Sequence, residues 1–353
     1  MDRKKENQNL KDEIKEIRDY RDPRRHIADC KLVVRKIQGF EFETISKCNI
    51  CGNTQTLILS NMDRYGINIR TAICPVCGLV YLANRLTQDG YKKFYEEGIY
   101  REMISAYKGK GQTNQIILRA QETHASSLAN SLSKLLVFSK REKELLDIGG
   151  SNGLISKELE RTLGYKVTLL EPAVKEAELA RERGLTVEVG SIETWTTDRK
   201  FDLILLSKTF EHLYDIRLAF KRIYNMLTPD GVFFCDISDF FKMWEKKGSV
   251  QRVTKIDHCF WISDHYASQF FARVGFQIIG KINDLPREAE AYLLKPFKES
   301  PSLSSVNAFV IQEVEKCQAF EELWNTIVKE YYSLPNRIKR ILVKLKKKLI
   351  SIR

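Results

Sequence analysis

From residue 143 onward the chain alternates between two hydrophobic patterns. Short apolar runs of strand length, "ELLDI", "KVTLL", "LTVEV", "FDLILL" and "GVFFCDI", are separated by "LISKELERTLG", "AVKEAELARERG" and "IRLAFKRIYNML". The intervening stretches repeat their apolar residues at helical spacing. Strand alternating with helix predicts a parallel sheet with helices on both faces. "ISDHYASQFFARVG" adds a helix, and "FQIIGKI" and "NAFVIQEV" add two more strands, for seven in all.

Ahead of this region the texture differs. Residues 1–25 are polar and dense in both signs of charge, and the Asp22–Pro23 step ends that pattern, because a residue before proline is biased away from helix. From Cys48 to Tyr81 there are short β-like pieces with Cys, Gly and Pro; 87–108 and 114–139 read as helical. The expected division is a charged arm over 1–43, a cysteine-bearing unit over 44–84, a helical segment over 85–139, an α/β domain over 140–316 and a helical tail over 317–353.

At 353 residues there is room for one large domain with appendages, or for two. Hydrophobic residues at 43% and charged residues at 29% are ordinary for a soluble globular chain. No run approaches the ~18 apolar residues of a membrane span, and the N-terminus lacks the apolar core of a secretory signal. A cytoplasmic protein is expected, whose eight cysteines need not be disulfides.

The net charge of +12 looks like a nucleic-acid signal until it is located. Residues 337–353, "RIKRILVKLKKKLISIR", carry eight Lys and Arg and no acid; subtracting them leaves +4 on the rest. The tail repeats Ile338, Ile341, Leu342, Leu345, Leu349 and Ile352 at helical spacing opposite a basic face. Such a helix suits an anionic membrane surface, at the inner face of the membrane, or an acidic partner. The competing reading docks the apolar stripe on the protein itself.

"LLDIGGSNG", residues 145–153, gives up side chains just where the first strand ends. In open parallel sheets ligands bind beyond the carboxyl ends of the strands. Gly149, Gly150 and Gly153 would let a ligand approach the backbone, and Asp147 could accept a hydrogen bond. Glu171, ending the second strand, is placed to hold a ribose diol. The turn therefore points to an adenosine-type cofactor.

The loop is not the G-x-G-x-x-G of a dinucleotide site. It resembles the D-x-G-x-G-x-G loop of class I S-adenosylmethionine-dependent methyltransferases, with Ser151 where the middle glycine is usual. The resemblance runs on through "TLLEP", "FDLILLSKTFEHLYD" and "NMLTPDGVFFCDISD", over roughly 140–316. It implies a Rossmann-like seven-stranded sheet and S-adenosylmethionine bound by Asp147, Gly149, Gly150, Ser151, Gly153, Glu171 and Pro172. Ser191 and Ile192 of "VGSIETW" are offered to the adenine, although no acidic residue directly follows the glycine there.

Cys48-Asn-Ile-Cys51 and Cys74-Pro-Val-Cys77 are two C-x-x-C knuckles. Their spacing lets each pair grip one ion, and two pairs complete a tetrahedral four-cysteine zinc site with no open position, hence a structural one. Cys30, Cys235, Cys259 and Cys317 read as ordinary buried thiols. A zinc ribbon over 44–84 followed by this catalytic domain is similar to the zinc-ribbon methyltransferases that include sugar C-methyltransferases. In that family the segment after the ribbon covers the substrate, which here brings in Tyr95, Tyr100 and Arg101.

Methyl transfer from a sulfonium chiefly demands positioning, but an acceptor carbon or hydroxyl must also lose a proton. "KIDHCFWIS", 255–263, follows the fifth strand. Asp257 and His258 resemble the acid–histidine pair of the sugar C-methyltransferases, which makes His258 the candidate base; the bland alternative is a packing histidine. For Glu211–His212 an orienting role outweighs catalysis. The leading reading is methylation of a sugar, nucleotide-linked or in a surface glycan. Methylation of RNA or protein is disfavoured because 44–82 carry only Lys47, Arg64 and Arg70. An inactive cofactor-binding subunit is the third, kept open by Ser151 and Lys208.

Overall fold

The computed structural model describes residues 23–108, 114–136, 143–283, 285, 289–297, 310–319 and 321–322. The basic stripe at 337–353 lies outside them.

Helix α1 (Pro23–Lys36) opens the described chain. Pro23 starts this helix, since the missing N–H and fixed φ of proline suit the first helical position. Five short strands follow: β1 (Phe42–Thr44), β2 (Leu57–Ser60), β3 (Thr71–Ile73), β4 (Val80–Leu82) and β5 (Asn84–Leu86). Two helices, α2 (Gln88–Glu96) and α3 (Ile99–Lys108), precede the long α4 (Asn114–Leu135). Thr87 caps α2 by accepting the Gly90 N–H.

The α/β region runs β6 (Lys143–Ile148), α5 (Leu154–Leu163), β7 (Tyr165–Glu171), α6 (Val174–Glu182), β8 (Thr186–Val189) and β9 (Phe201–Leu206). A short 3-10 turn, Phe210–His212, leads into α7 (Ile216–Met226) and β10 (Leu227–Ser238). Then come α8 (Phe240–Lys247), α9 (Val250–Val253), β11 (Phe260–Trp261), α10 (Asp264–Arg273), β12 (Phe276–Ile282) and β13 (Ala289–Pro296).

The seven-stranded sheet has the order β12-β13-β10-β9-β6-β7-β8. Strands β10, β9, β6, β7 and β8 pair in parallel, and β13 is antiparallel to both neighbours. The five apolar runs of the alternating region all form strands. The seventh strand, however, is Ala289–Pro296 and not "NAFVIQEV", whose described residues from 310 onward are helical. A short apolar run fits either a strand or a buried helix turn by periodicity alone, and here Val310 and Val314, one helical turn apart, are the buried pair.

The chain leaves β6 toward β7 and β8 on one side, then returns to β9 and β10 on the other. A crevice opens at that reversal of direction. A second, four-stranded sheet has the order β11-β4-β3-β2. Its first member comes from far down the chain, with Phe260 opposite Tyr81 and Trp261 opposite Val80. The cysteine-bearing unit is thereby pinned to the segment that precedes Phe260. Among the described residues no helix is long and apolar enough to cross a membrane.

Candidate active site

The glycine turn sits at the carboxyl end of β6. Gly149 has φ +71°, and a Cβ there would stand 2.5 Å from Thr209 Cγ2. Gly153, at φ +76°, would press a Cβ to 2.4 Å from Leu185. Neither position admits a side chain, because one is held by the β9 loop and the other by the return of α6. Ser151 also lies in the left-handed region, at φ +54°. Its N–H donates to Glu171 Oε2 at 2.8 Å and its hydroxyl to Glu176 Oε2 at 2.8 Å.

Glu171 is buried and accepts the Ser151 and Ala173 N–H groups. Burial outweighs those bonds and raises its pKa to about 7. Asp147 is different from expectation. It accepts the Ser156 hydroxyl at 2.6 Å, tying β6 to α5, and its carboxylate fills the space beside Gly150. Burial raises it to about 6. Of strand β6 only its last residue, Ile148, lines the crevice.

The crevice widens into a cavity of about 920 Å³. Gly149, Gly150, Ser151, Glu171, Pro172, Ser191 and Ile192 form one end of it. The structure thus brings together seven of the nine residues expected at the cofactor; Asp147 and Gly153 support the turn from outside. Glu193 supplies the acid that the pattern after β8 lacked, two residues later than sought, and it accepts the Tyr214 N–H at 2.8 Å. The glycine cradle and the Glu171 carboxylate beside it have the shape and chemistry to take an adenosyl group.

At the other end stand Tyr91, Tyr95, His212, Tyr214, Lys255 and Asp257. Tyr95 Oη lies 2.9 Å from His212 Nδ1, and Asp257 Oδ2 lies 4.0 Å from the same nitrogen. Lys255 Nζ is 3.1 Å from Asp257 Oδ2. Burial would raise Asp257, but Lys255 and His212 hold it below the ordinary carboxylate range. Burial and the Lys255 charge lower His212, with Asp257 opposing them, so its imidazole is neutral at pH 7. His258 is partly buried and is not part of the lining. Its ring packs edge-on against His212, centroids 4.6 Å apart, and lies 5.7 Å from the Trp261 ring.

Gln121 and His124 also reach the cavity, from α4. Sequence reasoning passed over both; their three-residue spacing on one helix face was the available signal. Lys255 was missed as well, having no motif to mark it.

The four cysteine sulfurs lie within 4.8 Å of one another, with Cys48–Cys77 and Cys51–Cys74 each at 3.5 Å. A tetrahedral ion with Zn–S bonds of ~2.3 Å sets its sulfurs ~3.8 Å apart. The cluster fits such an ion closely. Between Cys48 and Cys51, the Asn49 side chain accepts the Ile216 N–H at 2.9 Å and so caps α7. Asp63, further along the same unit, accepts the Ile256 N–H at 3.0 Å. Both bonds anchor the cysteine unit to the cavity-forming loops.

Known proteins similar to this chain are methyltransferases. The family described as "Methyltransferase domain" matches residues 120–281. A malonyl-[acyl-carrier protein] O-methyltransferase of Ilyobacter polytropus is 28% identical over 35% of this chain and 50% of its own length. A ubiquinone biosynthesis O-methyltransferase of Histophilus somni is 31% identical over 29% of this chain and 48% of its own. The chain thus spans about half the length of these curated relatives. Among solved structures, a SAM-dependent methyltransferase of Leishmania major shares 24% identity over 51% of this chain and 75% of that one, with a TM-score of 0.42. Over residues 120–281, this chain is similar to the methyltransferase-domain family, and those residues build most of the Rossmann-like seven-stranded sheet.

Proposed function

We propose that the protein transfers a methyl group from S-adenosylmethionine to a carbon or hydroxyl of a sugar, nucleotide-linked or in a surface glycan. The observation that carries this reading is the joining of the glycine turn and the Tyr95–His212–Asp257 cluster in one cavity. About 920 Å³ is near the upper end for a single small-molecule pocket, and suits two ligands meeting end to end. Glu171 would accept the ribose diol, Ser191 and Ile192 would flank the adenine, and the turn would let the methionine portion pass.

When bound, the cofactor supplies an electrophilic methyl on a sulfonium. The chain's own part is to position the acceptor and receive its proton. His212 is the base on this reading, in preference to His258, because His212 lines the cavity. With hydrogen on Nδ1 shared toward Tyr95 Oη, Nε2 is left to take the proton. Asp257 stabilises the imidazolium that results, and His258 buttresses the ring. Gln88, Asp89 and Lys92 add polar groups beside the tyrosine faces, a lining matched to a hydroxylated ring.

The cysteine cluster is proposed to hold one structural zinc, with Cys48, Cys51, Cys74 and Cys77 as its ligands. Incubating the protein with methyl-labelled S-adenosylmethionine and a nucleotide-sugar mixture, then reading products by mass spectrometry, tests the whole reading. A sugar heavier by one methyl is expected. Cofactor binding with no transfer to any sugar would remove the acceptor assignment.

A further inference from the structure

The cofactor end of the cavity is bridged by a bonded network that crosses from the helical segment to the glycine turn. Glu176, in the first turn of α6, divides its two oxygens between the two sides. Oε1 accepts Arg101 Nη2 at 2.8 Å and Nε at 3.2 Å, and the Tyr100 hydroxyl at 3.3 Å. Oε2 accepts the Ser151 hydroxyl at 2.8 Å. Arg101 Nη2 closes the ring by reaching the Ser151 Oγ at 3.3 Å.

Tyr100 and Arg101 belong to α3, Ser151 to the turn after β6, and all three line the cavity. Arg101 is also aligned over the Tyr100 ring, 4.9 Å from its centroid. We infer that Arg101, Glu176 and Ser151 form a latch that closes α3 over the cofactor end of the cavity and sets how fast the cofactor leaves. The inference rests on the reading of S-adenosylmethionine as the ligand there.

An exposed ion pair alone would carry little weight. This one differs in three respects. The Glu176 side chain is only 13% exposed, the guanidinium presents two N–H groups to one oxygen, and a hydroxyl from the turn completes the set. The latch also accounts for the residue at 151. A glycine would sit in the left-handed region at no cost, whereas serine is disfavoured there. The serine hydroxyl is what connects Glu176 to the turn, and the serine N–H reaches Glu171, the diol acceptor. The lid, the turn and the ribose end are thus linked through one residue.

The test loads full-length protein with tritiated S-adenosylmethionine and chases it with excess S-adenosylhomocysteine. Arg101→Ala should release label about tenfold faster, the scale of losing charge-assisted hydrogen bonds, with the melting temperature little changed. Arg101→Lys should recover part of the retention. Ser151→Gly should speed release by less than Arg101→Ala. The double variant Arg101→Ala/Glu176→Gln should release label more slowly than the product of the two single effects predicts, because the two residues share the Arg101–Glu176 contact. Label retained by the wild type and lost at the same rate from Arg101→Ala overturns the latch and spares the cofactor reading. Wild-type protein that retains no label overturns both.

Discussion

Tyr95 and His212, from a helix before the sheet and a turn within it, meet at 2.9 Å between Oη and Nδ1. The contact fixes the imidazole from α2, so if His212 is the base, as proposed, it is oriented only when that helix is in place. His212→Ala should lower turnover by ~10²–10⁴-fold with cofactor affinity nearly unchanged. Tyr95→Phe should cost less, and His258→Ala less than His212→Ala. Equal losses at the two histidines would return His258 to the position of base.

The protonation of His212 gives this prediction a pH signature. Burial holds its pKa below the ordinary 6.5, and only the neutral ring accepts a proton. Turnover should therefore rise with pH through a midpoint below 6.5 and be level across neutrality. A kcat profile with its midpoint at or above 6.5 would assign the base to another group.

Glu171 predicts a proton-linked cofactor affinity. Burial raises its pKa to about 7, so near neutrality it is partly protonated. A diol donating hydrogen bonds favours the ionised form. Binding should then release a proton, and affinity should improve as pH rises through about 7 and level off above it. Calorimetry in buffers of different ionisation enthalpy measures the release. Glu171→Ala should weaken binding by ~1–3 kcal/mol and abolish the pH dependence.

At Gly149 both the backbone and the space are spoken for. An alanine there would adopt φ +71° and meet Thr209 at 2.5 Å. Gly149→Ala should weaken cofactor binding by more than tenfold, about the effect of ~1–2 kcal/mol of left-handed strain with the clash added. Restored space in Gly149→Ala/Thr209→Ala, which removes both Cγ2 and Oγ1, should recover only part of the loss. Full recovery would show that space alone governs the position.

The cysteine cluster should yield about one zinc per chain by elemental analysis. Cys51→Ser should loosen the ribbon and, through the Tyr81–Phe260 pairing, raise hydrogen exchange at 255–262. Exchange confined to the ribbon would show that the two are mechanically separate.

The parallel strands were legible because each is an apolar run of strand length followed by helical spacing. The glycine turn was legible because its position after the first strand already implied a ligand. Two errors share a physical origin in ambiguity of short segments. "NAFVIQEV" carries a pattern that fits a strand or a helix turn, and the antiparallel β13 was hidden in the mixed sequence "AEAYLLKP". Asp147 and His258 were assigned by type and order in the chain. Whether a side chain points into a crevice or behind it depends on packing against Ser156 and Trp261, which sequence spacing does not encode. Lys255 was illegible for the same reason: a lone lysine gives no sign of being buried against an aspartate.

The pairing of Val80–Leu82 with Phe260–Trp261 has a consequence for biogenesis. The ribbon leaves the ribosome long before its fourth strand is made, at about 5–20 residues per second. Throughout that interval β4 presents an unpaired backbone edge, flanked by the apolar side chains of Val80, Tyr81 and Leu82. The nascent N-terminal unit is thus a half-finished sheet awaiting its last strand. A fragment ending before residue 260 would keep that open edge permanently and should self-associate, so the ribbon is no detachable module.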